Sequence, residues 1–201
     1  RLPGCGCAHH AGWIDHPRLG RRCRIHNSAH DLWEFVLVNM SITASRSFDV
    51  LTGLAPKRSE AVDQIQKVIS QLPQYEPETN HYFHGGMYCR EVKRCKDALI
   101  VGKVHKKEHF YVVASGTVAI SQEGEPAKQV TGPAVIKSFP GTKRAVLALT
   151  DAVCMTFHRV DSCTVEDAET ELVEDDPTAM FAVGNKVATG VLKHQPTKVI
   201  E

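Results

Sequence analysis

Between Gly86 and Val160 the chain is cut into short segments rich in β-branched and aromatic residues, and no helix-length apolar stretch interrupts them. Met87–Val92, Ala98–Val104, His109–Ala114, Thr117–Ser121, Ala134–Ser138, Ala145–Leu149 and Ala152–Val160 each read as a strand. Turn-forming punctuation separates several of them, including Glu123-Gly124-Glu125-Pro126 and Pro140-Gly141-Thr142. Many short strands at this spacing predict a closed all-β sandwich or barrel and argue against a doubly wound α/β fold. A chain of 201 residues is long enough for one such domain with a real core, plus extensions.

The flanks differ from this middle. Residues 1–39 carry Cys5, Cys7, His9, His10, His16, Cys23, His26 and His30 without a sustained period of 3.6 or 2. Two readings stand side by side: a zinc site on Cys5, Cys7, Cys23 and His26, or, with a natural start at Met40, upstream sequence read in frame or a disordered extension. Residues 40–80 read as a helical lead-in and linker. Within them, Ala61, Val62, Ile65, Val68, Ile69 and Leu72 form one apolar stripe of a helix over Ser59–Leu72. Glu60, Asp63, Gln66, Lys67 and Gln71 are expected to face water, and Pro73 ends the helix. The stripe must be buried, on the outside of the barrel or on another subunit. Gln74–Asn80 reads as a linker, and the barrel is placed at 81–162.

After the barrel, Asp161–Asp176 holds eight acidic residues and no Lys or Arg. Thr164-Val-Glu-Asp167 is a helix-start box, so a short acidic helix over Val165–Val173 is expected, with a solvated face. The tail Phe181–Glu201 is read as a covering strand or as partly ordered.

The formal net charge of +1 offers no global field for nucleic acid or an anionic membrane. No apolar run approaches the roughly 20 residues of a spanning helix. Lys106, Lys107 and neighbouring cations have only Phe110 and Tyr111 as stacking partners, so nucleic acid is not an expected partner. Seven cysteines in no secreted framework suggest a reducing, cytoplasmic setting, with Cys89, Cys95 and Cys154 as ordinary thiols. Nucleophile-elbow, P-loop and dinucleotide fingerprints are absent.

The stretch with most chemistry is Gly102–Gly116, read as two strands joined by a hairpin that carries His105 and His109, with Gly116 turning into a third strand. Its order of glycine, histidines, apolar strand and glycine resembles the first signature of the cupin family. The resemblance implies a double-stranded β-helix (jelly-roll) barrel, often with a metal in its mouth. Laid on that pattern, two of four ligand positions keep a ligand-type side chain, His105 and His109, while Lys103 and Arg144 occupy the other two. His158 shares a strand face with Cys154 and Thr156, and Glu108, His81 and His84 lie near in sequence. The resemblance therefore implies one divalent metal (iron, zinc, manganese or nickel) on His105 and His109, with His158 or Glu108 as further donor.

Arginine offers a metal no electron pair, so Lys103, Arg144 and Tyr111 suggest instead a cationic pocket for a small anionic ligand. The expected function is a cupin-like ligand-binding or structural protein with a degenerate metal site. The alternatives are a metal-dependent enzyme of dioxygenase, isomerase or hydrolase type and a virion-associated assembly module, since the barrel also resembles small bacteriophage-encoded cupin-like proteins. Cyclic-nucleotide-binding domains are a further resemblance, through Phe110–Ile120 and Lys143-Arg144-Ala145-Val146, although the acidic residue for a ribose is missing. A homodimer is expected.

Overall fold

A computed structural model describes residues 60–122, 127–191 and residue 193. The cysteine- and histidine-bearing segment 1–39, with both of its readings, lies outside the described residues.

Nine strands make two antiparallel sheets. They are β1 (Glu78–His84), β2 (Met87–Arg94), β3 (Leu99–Val101), β4 (His109–Ser115), β5 (Thr117–Gln122), β6 (Lys128–Thr131), β7 (Ala134–Ser138), β8 (Arg144–Ala148) and β9 (Ala152–Arg159). The five-stranded sheet has the order β1-β2-β9-β4-β7, the four-stranded sheet β3-β8-β5-β6. The antiparallel pairs β2–β9, β3–β8, β4–β7 and β5–β6 are nested, and they alternate between the sheets. That is one long hairpin, β2 to β5 returning as β6 to β9, rolled into a jelly roll.

One expectation fails here. β3 pairs with β8 while β4 pairs with β9 and β7, so Gly102–Glu108 is a crossover between sheets and not a hairpin. A rolled sheet needs such crossovers, and local sequence reads them like turns. Gly116 performs the next crossing, at φ +79°, where an added Cβ would lie 2.3 Å from the Asp151 carbonyl oxygen; only glycine fits.

Alternation along the strands fills the barrel. Tyr111 and Val113 on β4, Val118 and Ile120 on β5, Val146 on β8, and Ala152 and Cys154 on β9 form one buried cluster. Each fully buried valine contributes about 1.5–3 kcal/mol through the apolar surface it removes from water.

The helix α1 (Glu60–Ile69) lays Val62, Ile65 and Ile69 on Val101 and Ala145 of the four-stranded sheet and on Met180, Phe181 and Val187 from the C-terminal segment. Val68 is exposed, and Gln66, expected in water, is buried. Its Nε2 donates to the Thr178 carbonyl and hydroxyl oxygens at 3.0 and 2.8 Å, because the C-terminal segment returns over that side of the helix. The second helix, α2 (Val165–Leu172), starts where the box placed it: the Thr164 hydroxyl accepts from the Asp167 N–H at 3.2 Å. Ala168 and Leu172 pack on Tyr88, Val160 and Phe83. Glu169 is buried too, so this helix is not purely a solvated face.

Two polar edge strands were not expected. β1 begins inside the expected linker, and β6, Lys-Gln-Val-Thr, has no apolar pattern. Cys89 and Cys154 are free thiols, and the Cys95 thiol donates to the Tyr75 hydroxyl at 3.3 Å. No helix among the described residues is long and apolar enough to cross a membrane.

Candidate metal centre

His109 opens β4, and His158 sits near the end of β9, its partner strand, so the sheet itself sets them side by side on the inner face. His105 comes from the β3–β4 crossover, which is fixed by backbone bonds rather than by a ladder. Its N–H donates to the Thr142 carbonyl at 3.1 Å, and its carbonyl accepts from Gly141 at 2.7 Å. On the other side, the Lys106 N–H donates to Leu172 at 2.8 Å and the Glu174 N–H donates to Val104 at 2.9 Å, tying the crossover to the end of α2.

The three rings converge. Centroids are 4.1 Å apart for His105–His109, 4.4 Å for His109–His158 and 5.1 Å for His105–His158. One ligand nitrogen from each lies within 4.8 Å of the others, and all three residues are buried. His105 Nδ1, His109 Nε2 and His158 Nδ1 have no hydrogen-bond partner. A buried polar atom left unpaired is costly, so three in one place point to a missing common partner.

The tautomer of His109 follows from geometry. Its Nδ1 lies 3.3 Å from the Lys107 carbonyl, which only accepts, so the proton sits on Nδ1 and the Nε2 lone pair faces the cluster. Burial is the main cause that holds all three rings neutral. It lowers His109 to about 4, reinforced by Arg144 and Arg90 against the opposing Lys107 bond. It lowers His158 to about 3, with His109 and Arg90 adding to it. His105 falls well below 6.5 through burial, then His109 and Arg90. Neutral imidazoles with free lone pairs are the donors a divalent transition metal takes, so the residues present fit one.

Glu108 is exposed and outside the cluster. Its neighbour His109 points into the barrel, and alternation sends Glu108 out. His84 is exposed as well, and His81 Nδ1 is spent on the Tyr88 hydroxyl at 2.7 Å. Beside the triad runs a cavity of about 60 Å³, whose lining includes Arg90, Arg94, Lys103 and Arg144 and no Asp or Glu. Lys103 and Arg90 each reach one oxygen of the buried Glu169 carboxylate at 3.8 Å. Arg144 Nε donates to Gln122 at 2.9 Å, another guanidinium nitrogen donates to Ser138 at 2.8 Å, and the group lies over the Tyr111 ring at 5.4 Å. Sequence reasoning named Lys103, Arg144 and Tyr111, which line this cavity, and did not name Arg90, Arg94 and Thr156, which line it too, or Glu169 beside them. The alternation that singled out His158 also marks Thr156.

No family model and no curated protein sequence matches the chain. Among solved structures it is similar to KdgF from a Halomonas species, at 15% identity over 41% of this chain and 78% of that one, TM-score 0.37. An RmlC-like cupin from Shewanella frigidimarina gives 15% identity, 40% and 82% coverage and a TM-score of 0.32. A conserved protein with a double-stranded β-helix domain from Klebsiella pneumoniae gives 12%, 50% and 86%, and 0.39. The nested strand order decides the architecture. The fold is a jelly roll. Within this barrel the histidine cluster lies at the end where the β3–β4 crossover meets α2.

Proposed function

We propose that this cupin-fold protein holds one divalent metal on His105, His109 and His158 and binds a small anionic molecule in the adjoining cavity. The convergence of three unpartnered, buried imidazole nitrogens carries the reading. Three imidazoles that leave a coordination position open suit zinc or non-haem iron, which when bound supplies a Lewis acid for a ligand oxygen. Glu108 is not in the ligand set.

The chain's own residues do the rest. Lys107 orients His109 through its carbonyl. The cationic cavity wall, including Arg144 and Lys103, favours an anion beside the centre, and Tyr111 carries Arg144 on its face. A second reading keeps the anion and drops the metal; the basic Lys103 and Arg144 near the triad favour it. The expected homodimer is assigned to the outer face of the five-stranded sheet, where Phe110 and Val135 are exposed.

Metal content separates the readings. The full chain, purified without affinity tag or chelator, is measured by plasma mass spectrometry beside His105→Ala/His109→Ala and His158→Ala. About one metal per chain, lost in both variants, is the expected result. A wild-type chain that stays metal-free after incubation with iron, zinc, manganese and nickel sinks the metal reading and leaves the second.

A further inference from the structure

The described part of the molecule holds several cationic groups buried or half-buried, and it treats them in two ways. Lys143, 4% exposed, bonds to Asp63 at 2.8 Å and lies 3.4 Å from Asp176. Arg90 and Lys103 share Glu169. Each of these has a carboxylate. Arg94 and Arg144, 8% and 7% exposed, have none.

Arg94 makes one long bond, 3.5 Å to the Val146 carbonyl, and its Nε has no partner. Arg144 bonds only to neutral oxygens, of Gln122 and Ser138. An uncompensated buried cation is costly, and two facing one cavity are costlier still. Two more donors in the same wall are idle: the Tyr111 hydroxyl and Thr156 Oγ1 are buried and unpartnered. Arg144 lies over the Tyr111 ring at 5.4 Å, and Arg94 lines the same cavity. Ile100 and Val146 supply apolar wall.

We infer that this pocket is a built seat for a short-chain carboxylate, whose head is held by Arg94, Tyr111 and Thr156 beside Arg144. Planar guanidinium groups match a carboxylate in shape and charge. The cavity of about 60 Å³ has room for roughly four waters, which limits the ligand to a few carbon atoms. The seat rests on the small-anion part of the proposed function and is independent of the metal, because none of its donors is a triad nitrogen.

The test uses the full chain stripped of metal, titrated calorimetrically with acetate, oxalate, malonate, succinate and inorganic phosphate. At least one of the short carboxylates binds more tightly than phosphate. Arg94→Met weakens that binding by at least about tenfold, the loss of a charge-assisted bond. Tyr111→Phe, which keeps the ring beneath Arg144, and Thr156→Val each weaken it about threefold to tenfold. Without ligand, Arg94→Met melts no lower than wild type, because it removes a buried charge that lacks a partner.

Absence of carboxylate binding up to about 10 mM overturns the inference, as does phosphate binding equally well. An Arg94→Met chain that binds as before, or that unfolds, makes Arg94 structural and overturns it too. Metal content, measured separately on the same samples, shows whether the centre stands or falls on its own.

Discussion

His105, His109 and His158 give up charge to gain a site. An imidazole in the unfolded chain titrates near 6.5, while His109 is lowered to about 4 and His158 to about 3 in the folded one. The sign follows from proton counting. Between those values the unfolded chain binds more protons than the folded chain, so stability rises with pH in that window and is lost as pH falls from about 6.5. Below the folded values both states are protonated, and the loss is complete. His105 is lowered in the same direction, mainly by its burial, and adds to the effect. Metal-free protein should therefore show a thermal midpoint that is flat above about pH 7 and falls steadily below about 6.5. His158→Phe should make that fall shallower. Equal slopes in wild type and variant would show that His158 does not contribute to it. Metal binding to the folded chain should hold down to about pH 4 and weaken only as His109, and then His158, take up protons below that.

At the scale of elements, the outer side of the barrel hangs on one lysine. Arg144, which opens β8, lies over Tyr111 in the cavity wall, while Lys143 just before the strand bonds Asp63 on α1 and approaches Asp176 on the C-terminal segment. Asp176 is held near 2 by Thr178, Gln66 and Lys143 against its burial, so it stays ionised. Lys143→Ala leaves that buried carboxylate without its cation and should cost about 3 kcal/mol in denaturant unfolding. Lys143→Ala/Asp176→Ala should lose less than the two single changes summed. Additive losses would show that the two residues do not act on each other. Periodicity made α1 visible, yet it could not show which of its polar residues the returning tail would cover. Gln66 read as solvent-facing for that reason. Two of the four edge strands were illegible on similar grounds: an edge strand has a single partner, so Glu78–His84 and Lys128–Thr131 need no apolar alternation.

For the whole molecule, the jelly roll was legible because its strands are short, β-branched and cut by turns, and Gly116 is required by its crossing. The site was legible only in part. His158 could be placed by counting along one strand, but Arg94 could not. Its burial depends on β2 lying beside β9, a pairing across some sixty residues, and a basic residue at a strand end otherwise reads as solvated. The outer face of the five-stranded sheet carries the remaining expectation. Phe110 faces Phe157 across β4 and β9 there, with Val135 on the neighbouring edge strand. Phe110→Asp should leave the thermal midpoint within a few degrees and turn a dimer into a monomer by light scattering. A wild-type chain that is already monomeric at tens of micromolar would remove the homodimer from the reading.

The bonds from the β3–β4 crossover to α2 bear on where this protein can be divided. A fragment ending at Val160 would keep every strand and all three imidazoles. It would still lose Leu172 and Glu174, whose backbone holds Lys106 and Val104 on either side of His105. Two of the three nitrogens would remain set by the sheet while the third was left on a loop secured from one side only. The smallest unit that carries the site is therefore larger than the barrel, and the acidic helix, which by composition looks expendable, belongs inside its boundary.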